Sequence, residues 1–115
     1  MPFINAKITK TLSDAQKEQL KAGLGAAAGT IGKAETWVMV NIEDNQAIWL
    51  GGKKKDAGAY VSFELVGSAN EKDSLALSKA VCDVLENTLS IPKDSVYITI
   101  KPMEGFHWGW NGQTF

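Results

Sequence analysis

The chain has 115 residues, of which 44% are apolar and 22% charged, so we expect one globular domain over residues 1–115 and exclude a two-domain enzyme. The chain has twelve basic and 13 acidic residues, and the resulting net charge of −1 argues against nucleic-acid binding. All twelve basic residues are lysines, so binding of a carboxylate or phosphate by an arginine guanidinium is excluded. With Cys82 and His107 as the only cysteine and histidine, disulfide frameworks and Cys/His zinc sites are excluded, and the sequence predicts no metal or cofactor.

Hydrophobic periodicity predicts the elements in chain order. An alternating run over 3–8 predicts a first strand. The capping-box pair Ser13 and Gln16 opens a helix over about 14–31, which Gly32 ends. A second helix begins near 70–73 and ends before Pro92, because a residue preceding proline disfavours helical dihedrals. Four further alternating runs predict strands over 37–42, 47–50, 60–66 and 96–100.

This order repeats a β-α-β unit twice, at a spacing of about 55 to 60 residues, and predicts an α/β (α+β) fold. Right-handed crossovers would place both helices on one face of a single sheet. Residues two apart on a strand point to the same face of the sheet, and the apolar residues selected in this way form the predicted core face. They are Ile4, Ala6, Ile8, Val38, Val40, Ile42, Val61, Phe63, Leu65, Val96, Ile98 and Ile100.

The opposite face mixes aromatic and polar side chains in a way that is typical of a subunit interface. Its members are Asn5, Lys7, Trp37, Met39, Asn41, Tyr60, Ser62, Glu64, Tyr97, Thr99 and Lys101. Such a face is too aromatic for a solvated sheet and too polar for a second core. We therefore expect a homo-oligomer of cyclic symmetry with its sheets inside and its helices outside.

Pro2 is the candidate catalytic base. Removal of Met1 before a small second residue would leave a free secondary amine at the start of an apolar strand. Burial beside a cation disfavours the charged amine and lowers its pKa, and Lys33 is the cation suggested for this role. The alternatives are that Pro2 only stiffens the terminus and that Lys33 only complements the negative end of the first helix.

Three other features have both a structural and a functional interpretation. The tail over 105–115 contains four aromatic residues and three glycines, and it either seals an interface or also lines an aromatic pocket with Trp37 and Tyr97. Lysines 53–55 form a solvated loop or guide anionic ligands. Cys82, within the second helix, is expected to be a buried small apolar residue.

Short motifs along the whole chain resemble the macrophage migration inhibitory factor family of the tautomerase superfamily. They are Met1-Pro2, Gly32-Lys33, Val38-Met39-Val40, Leu50-Gly51-Gly52, Val66-Gly67, Val96-Tyr97-Ile98 and Trp108-Gly109-Trp110-Asn111-Gly112-x-Thr114-Phe115. Each is weak alone, but their order and spacing together are specific. The resemblance implies a homotrimer built from paired β-α-β units.

The resemblance also implies keto–enol tautomerisation of aromatic 2-oxo acids of the phenylpyruvate or hydroxyphenylpyruvate type, or of dopachrome. Pro2 would shuttle the proton as general base. Polar groups of the substrate would meet Lys33, the backbone of Val66, and Tyr97 from the adjacent subunit, while Trp37 and Trp108 would flank its ring.

The sequence departs from the family in three respects. Thr99 stands where vertebrate members carry an asparagine, and its hydroxyl reaches less far. The C-x-x-C motif before Val66 is absent, so thiol oxidoreductase activity is not transferred. The lack of arginine disfavours the dehalogenase and decarboxylase branches, which hold carboxylates with that residue.

Two other function classes stay open from sequence. One is a cytokine-like signalling protein that binds a protein receptor through a vestigial pocket, and the other is a small-molecule sensor that binds without turnover. No run reaches the length of a membrane helix, and no signal peptide precedes the first strand. We therefore expect no membrane partner and a cytosolic location, with secretion by a route independent of a signal peptide as the alternative.

Overall fold

The computed structural model describes all 115 residues and contains two α-helices and a mixed sheet. The four main strands are β1 (Pro2–Ile8), β2 (Met39–Glu43), β5 (Ala59–Val66) and β6 (Val96–Met103). The helices are α1 (Asp14–Gly29) and α2 (Glu71–Leu89). Short strands complete the chain as β3 (Trp49–Leu50), β4 (Lys53–Lys54), β7 (Gly109–Trp110) and β8 (Gln113–Thr114).

The main sheet has the order β2-β1-β5-β6. Strand β1 runs parallel to β2, and β5 runs parallel to β6, so each helix connects a parallel pair. The two units meet where β1 pairs antiparallel with β5, with Pro2 opposite Leu65. The predicted α+β fold of two β-α-β units is confirmed.

Both helices pack on the same face of the sheet, as predicted. On the central strands the core face is fully buried, for example at Ile4 and Phe63, whereas on the edge strands Val40 and Ile98 are half-buried because they have a neighbouring strand on one side only. The helices contribute one apolar stripe each, with Leu20, Leu24, Ala27 and Ala28 from α1 and Leu77, Val81, Leu85 and Leu89 from α2.

Helix α1 passes close to α2 at Gly23. A Cβ at this position would lie 2.5 Å from Cγ1 of Val84, so only glycine permits the approach.

Both helices begin with a capping box, at Ser13 with Gln16 and at Asn70 with Asp73.

Helix α1 ends two residues before the predicted boundary. The last turn tightens into i to i+3 hydrogen bonds, and Gly32 reverses the chain with φ 76°. The backbone N–H of Lys33 then donates to the carbonyl of Ala28 at 3.1 Å. This hydrogen bond fixes the backbone position of Lys33 at the helix end.

Several predictions of local structure were wrong. Trp37 does not lie on a strand, because hydrogen bonds from Trp37 N–H to Ala34 and from Val38 N–H to Glu35 form a 3₁₀ turn over Glu35–Trp37. The strand predicted over 47–50 shortens to β3. Lys53 and Lys54 form strand β4 rather than a loop, since Gly51 and Gly52 turn the chain with φ 61° and 80°.

Cys82 is half-buried, not buried as predicted, and burial raises the pKa of its thiol. Neither helix combines the length and the apolar character that crossing a bilayer requires.

Candidate active site

A cavity of about 600 Å³ lies where the start of β1 meets the Glu35–Trp37 turn and the C-terminal segment. Three of the predicted site residues, Pro2, Trp37 and Trp108, line it together. They come from the two ends of the chain and from a turn between them. The fold therefore assembles this part of the predicted site from residues that are distant in sequence.

The aromatic wall of the cavity includes Trp110, which stands edge-on to Trp37 with ring centroids 5.3 Å apart. Trp110 also stacks on Phe115 at 6.3 Å. The turn at Asn111 and Gly112, with φ 53° and 75°, pairs β7 with β8 and brings Phe115 back toward the cavity. Such a wall suits an aromatic ring bound edge-on or face-on.

Backbone hydrogen bonds of the C-terminal segment also hold this aromatic wall in place. The N–H of Phe115 donates to the carbonyls of Gly105 and Trp108 at 3.1 and 3.3 Å. A Cβ on Gly105 would lie 3.0 Å from the carbonyl oxygen of Phe115. Glycine at position 105 therefore allows the backbone of Phe115 to pack against it.

Pro2 is fully buried at the base of the cavity, and its nitrogen forms an amide with Met1. Met1 lines the cavity, and its carbonyl accepts a hydrogen bond of 3.3 Å from the N–H of Val66. Burial, followed by repulsion from the Lys33 ammonium, lowers the pKa of the terminal amino group below its ordinary value of 8.0. An amine at this end of the chain is thus held toward its neutral form.

Lys33 reaches the same region from the end of α1. Its Nζ donates to the carbonyl of Val66 at 3.2 Å, although Lys33 does not line the cavity. Val66 therefore has both backbone groups engaged, its carbonyl with Lys33 and its N–H with Met1. Without Met1, this N–H would be a free donor beside Pro2.

Tyr97 and Thr99 lie elsewhere in the same chain. Tyr97 is 65% exposed and borders a small hollow of about 90 Å³ beside Trp49. Thr99 Oγ1 is 2.8 Å from the hydroxyl of Tyr60 and shares a hydrogen bond with it. In register, Pro102 is the β6 residue at the level of Pro2, so Tyr97 lies five residues, or roughly 16 Å, farther along the strand. A chain cannot bring its own Tyr97 to its own Pro2.

Besides Pro2, Trp37 and Trp108, the cavity is lined by residues that sequence reasoning did not name as site residues, among them Phe3, Glu64, His107 and Trp110. Trp110 belongs to the aromatic tail over 105–115, for which a pocket-lining role was one of two interpretations, and Glu64 is on the predicted inner face two residues before Val66. That spacing could have suggested Glu64 as a site residue. For His107 the sequence carried no signal beyond its aromatic neighbours. No group of three or more His, Cys, Asp or Glu side chains is arranged to hold a metal ion.

Comparison with known proteins gives consistent matches. The family model described as macrophage migration inhibitory factor (MIF) matches residues 1–115. A macrophage migration inhibitory factor homolog of Trichuris trichiura is 31% identical over 115 residues, covering 100% of both chains.

Solved structures agree with these matches. The crystal structure of Leishmania major MIF2 superposes with a TM-score of 0.90 at 25% identity, over 100% of this chain and 97% of that one. A fused 4-OT, described as a wild-type symmetric trimer, superposes with a TM-score of 0.87 over 97% of this chain and 94% of its own. At 21% identity, the latter shows a shared fold only.

Proposed function

Because the chain belongs to the macrophage migration inhibitory factor family, we propose that it is a keto–enol tautomerase that acts on aromatic 2-oxo acids after Met1 has been removed. The observation that carries the proposal is the position of Pro2, which lines an aromatic-walled cavity at the end of the chain where burial and then the Lys33 charge lower the pKa of the Met1 amine. A neutral amine in this position is a general base at neutral pH.

Proton transfer would proceed through the Pro2 nitrogen. In the keto-to-enol direction, the amine takes a proton from the carbon next to the carbonyl, and the C–H electron pair forms the new C=C bond while the carbonyl π electrons move onto oxygen. The protonated Pro2 amine then gives a proton to the oxygen and returns to its neutral form, and the reverse sequence forms the ketone. A positioned base contributes roughly 10²- to 10⁴-fold to such a reaction.

The polar end of the substrate would lie against Val66 and Lys33. Removal of Met1 frees the Val66 N–H, which then donates to a carboxylate or carbonyl oxygen of the substrate. The Lys33 ammonium, now bonded to the Val66 carbonyl, supplies positive charge at the same point. Trp37, Trp108 and Trp110 would enclose the ring.

We further propose that the active form is a homotrimer in which the neighbouring subunit supplies Tyr97 and Thr99. Two observations support this. The inner face of the sheet exposes large side chains, with Met39 69% and Tyr97 65% exposed. In addition, Tyr97 lies too far along β6 to reach the cavity of its own chain. The fused 4-OT of the same fold is described as a symmetric trimer.

The test is to insert one alanine between Met1 and Pro2. Processing then yields a chain that starts with alanine, so that the Pro2 nitrogen stays in an amide and cannot accept a proton. We expect the rate of phenylpyruvate tautomerisation to fall by about 10²-fold or more, with the oligomer unchanged in ultracentrifugation. Intact mass verifies the terminus of both proteins. Full activity in the insertion variant, or none in the correctly processed wild type, would refute the proposal.

A further inference from the structure

Glu64 is a carboxylate in the cavity that the proposed chemistry does not use. It lies on β5, half-buried, on the inner face of the sheet. Its register partners are Phe3 on β1 and Lys101 on β6. The side chain accepts no hydrogen bond and has no cation within 4.0 Å, although Lys101 is the adjacent residue on the next strand. No hydrogen bond or ion pair within the chain therefore neutralises the Glu64 carboxylate, and its charge can interact with a ligand in the cavity.

The position of Glu64 is defined relative to Pro2 and Lys33. Along β5 the order is Glu64, then Leu65 opposite Pro2, then Val66 with Lys33 on its carbonyl. Glu64 and Val66 are two residues apart on the same face, which separates them by about 7 Å. This distance is close to the span between the carboxylate and the far end of the ring in an arylpyruvate. The Glu64 carboxylate thus lines the cavity two β5 residues from Val66, whose carbonyl binds the Lys33 ammonium outside the cavity lining.

From this arrangement we infer that Glu64 determines substrate specificity, admitting ligands with one carboxylate and a neutral or hydrogen-bond-donating ring while rejecting a second carboxylate. The inference rests on the proposed function and narrows its substrate class to aromatic monocarboxylates. A carboxylate accepts hydrogen bonds but donates none, so it favours a ring hydroxyl. A second carboxylate on the ligand would be repelled by the negative charge of Glu64, and the chain has no arginine that could form an ion pair with it.

Like-charge repulsion across a partly solvated cavity gives roughly tenfold discrimination, since one decade corresponds to about 1.4 kcal/mol. Two other ionisable side chains, Lys101 and His107, lie near Glu64. Lys101 is solvent-exposed, and His107 lines the cavity but makes no ion pair with Glu64.

The experiment measures binding of three unreactive ligands of matched size to the mature protein, namely phenylacetate, 4-hydroxyphenylacetate and 4-carboxyphenylacetate. Three tryptophans line the cavity, so quenching of intrinsic fluorescence reports occupancy without turnover. The proteins compared are the wild type, Glu64→Gln and Glu71→Gln. The last removes the same charge from the exposed start of α2.

We expect the wild type to bind 4-carboxyphenylacetate about tenfold more weakly than phenylacetate. Glu64→Gln narrows this ratio to about threefold or less, and Glu71→Gln leaves it unchanged. Equal binding of the two ligands by the wild type, the same ratio in Glu64→Gln, or no binding of phenylacetate overturns the inference. Turnover of phenylpyruvate is scored separately, so a chain that binds selectively but does not catalyse refutes the proposed function alone.

Discussion

Replacement of Lys33 by methionine tests the electrostatic part of the proposed mechanism. Methionine keeps much of the length of the side chain and removes its charge. Lys33 Nζ donates to the Val66 carbonyl at 3.2 Å, and the Val66 N–H donates to the carbonyl of Met1 at 3.3 Å, so Lys33 and the first residue of the chain both bind Val66. Two unit charges about 7 Å apart repel each other by about 0.6 to 2.4 kcal/mol at an effective dielectric constant between about 80 and 20.

The sign follows from the repulsion between two positive groups. Lys33 disfavours the protonated amine and lowers its pKa, as it does for the Met1 amine, so removing the charge raises the pKa of the Pro2 amine. Only the neutral amine accepts a proton. The rising limb of kcat/KM against pH should therefore move to higher pH in Lys33→Met.

The assay follows phenylpyruvate tautomerisation by the protein without Met1 from about pH 5 to pH 9, and the position of the rising limb tests the charge effect. Loss of carboxylate binding lowers the plateau but does not by itself move the limb of the free enzyme. Lys79→Met, on the exposed surface of α2, is the matched control and should keep the wild-type profile. A limb that stays in place in Lys33→Met, or moves to lower pH, would contradict the assigned role of the charge.

Two further predictions concern packing and assembly. Gly23→Ala should lower the free energy of unfolding by about 1–3 kcal/mol, because the new Cβ would meet Val84 at 2.5 Å, while Gly29→Ala, with nothing within 4 Å, should be neutral or stabilising by up to about 1 kcal/mol. Urea unfolding of both variants measures this difference, and equal effects would contradict the packing argument. Co-refolding a chain blocked at Pro2 with a Tyr97→Ala chain should restore about a quarter of the sites, whereas no recovery of activity would contradict a site shared between subunits.

The regular elements could be predicted from the sequence because each carries a local signal. The capping box at Ser13 and the alternation along β1 and β5 are properties of a few neighbouring residues, and they fixed both the elements and the buried face. Trp37 shows where this reasoning fails. Its alternation with Val38 and Met39 fits a strand, but i to i+3 hydrogen bonds after Gly32 turn the chain before the strand begins.

The cavity was only partly predictable because it depends on contacts between distant segments. Pro2 was identified from its chemistry, and Trp37 and Trp108 from their aromatic character and a family resemblance. Glu64 was not predicted as a site residue, because the sequence does not distinguish it from the other polar residues of the predicted interface face. Only the strand register shows that it precedes Leu65, the residue opposite Pro2. The roles of Tyr97 and Thr99 stay predictions, because they require a second subunit.

The hydrogen bond between Met1 and Val66 has a consequence for biosynthesis. It adds the first peptide group of the chain to the end of the β1–β5 pairing, next to the bond that an aminopeptidase must cleave. A peptidase binds its substrate as an extended, unpaired terminus, so excision competes with folding. Under the proposed mechanism, Met1 is therefore removed either before β1 pairs with β5 or after the paired terminus frays.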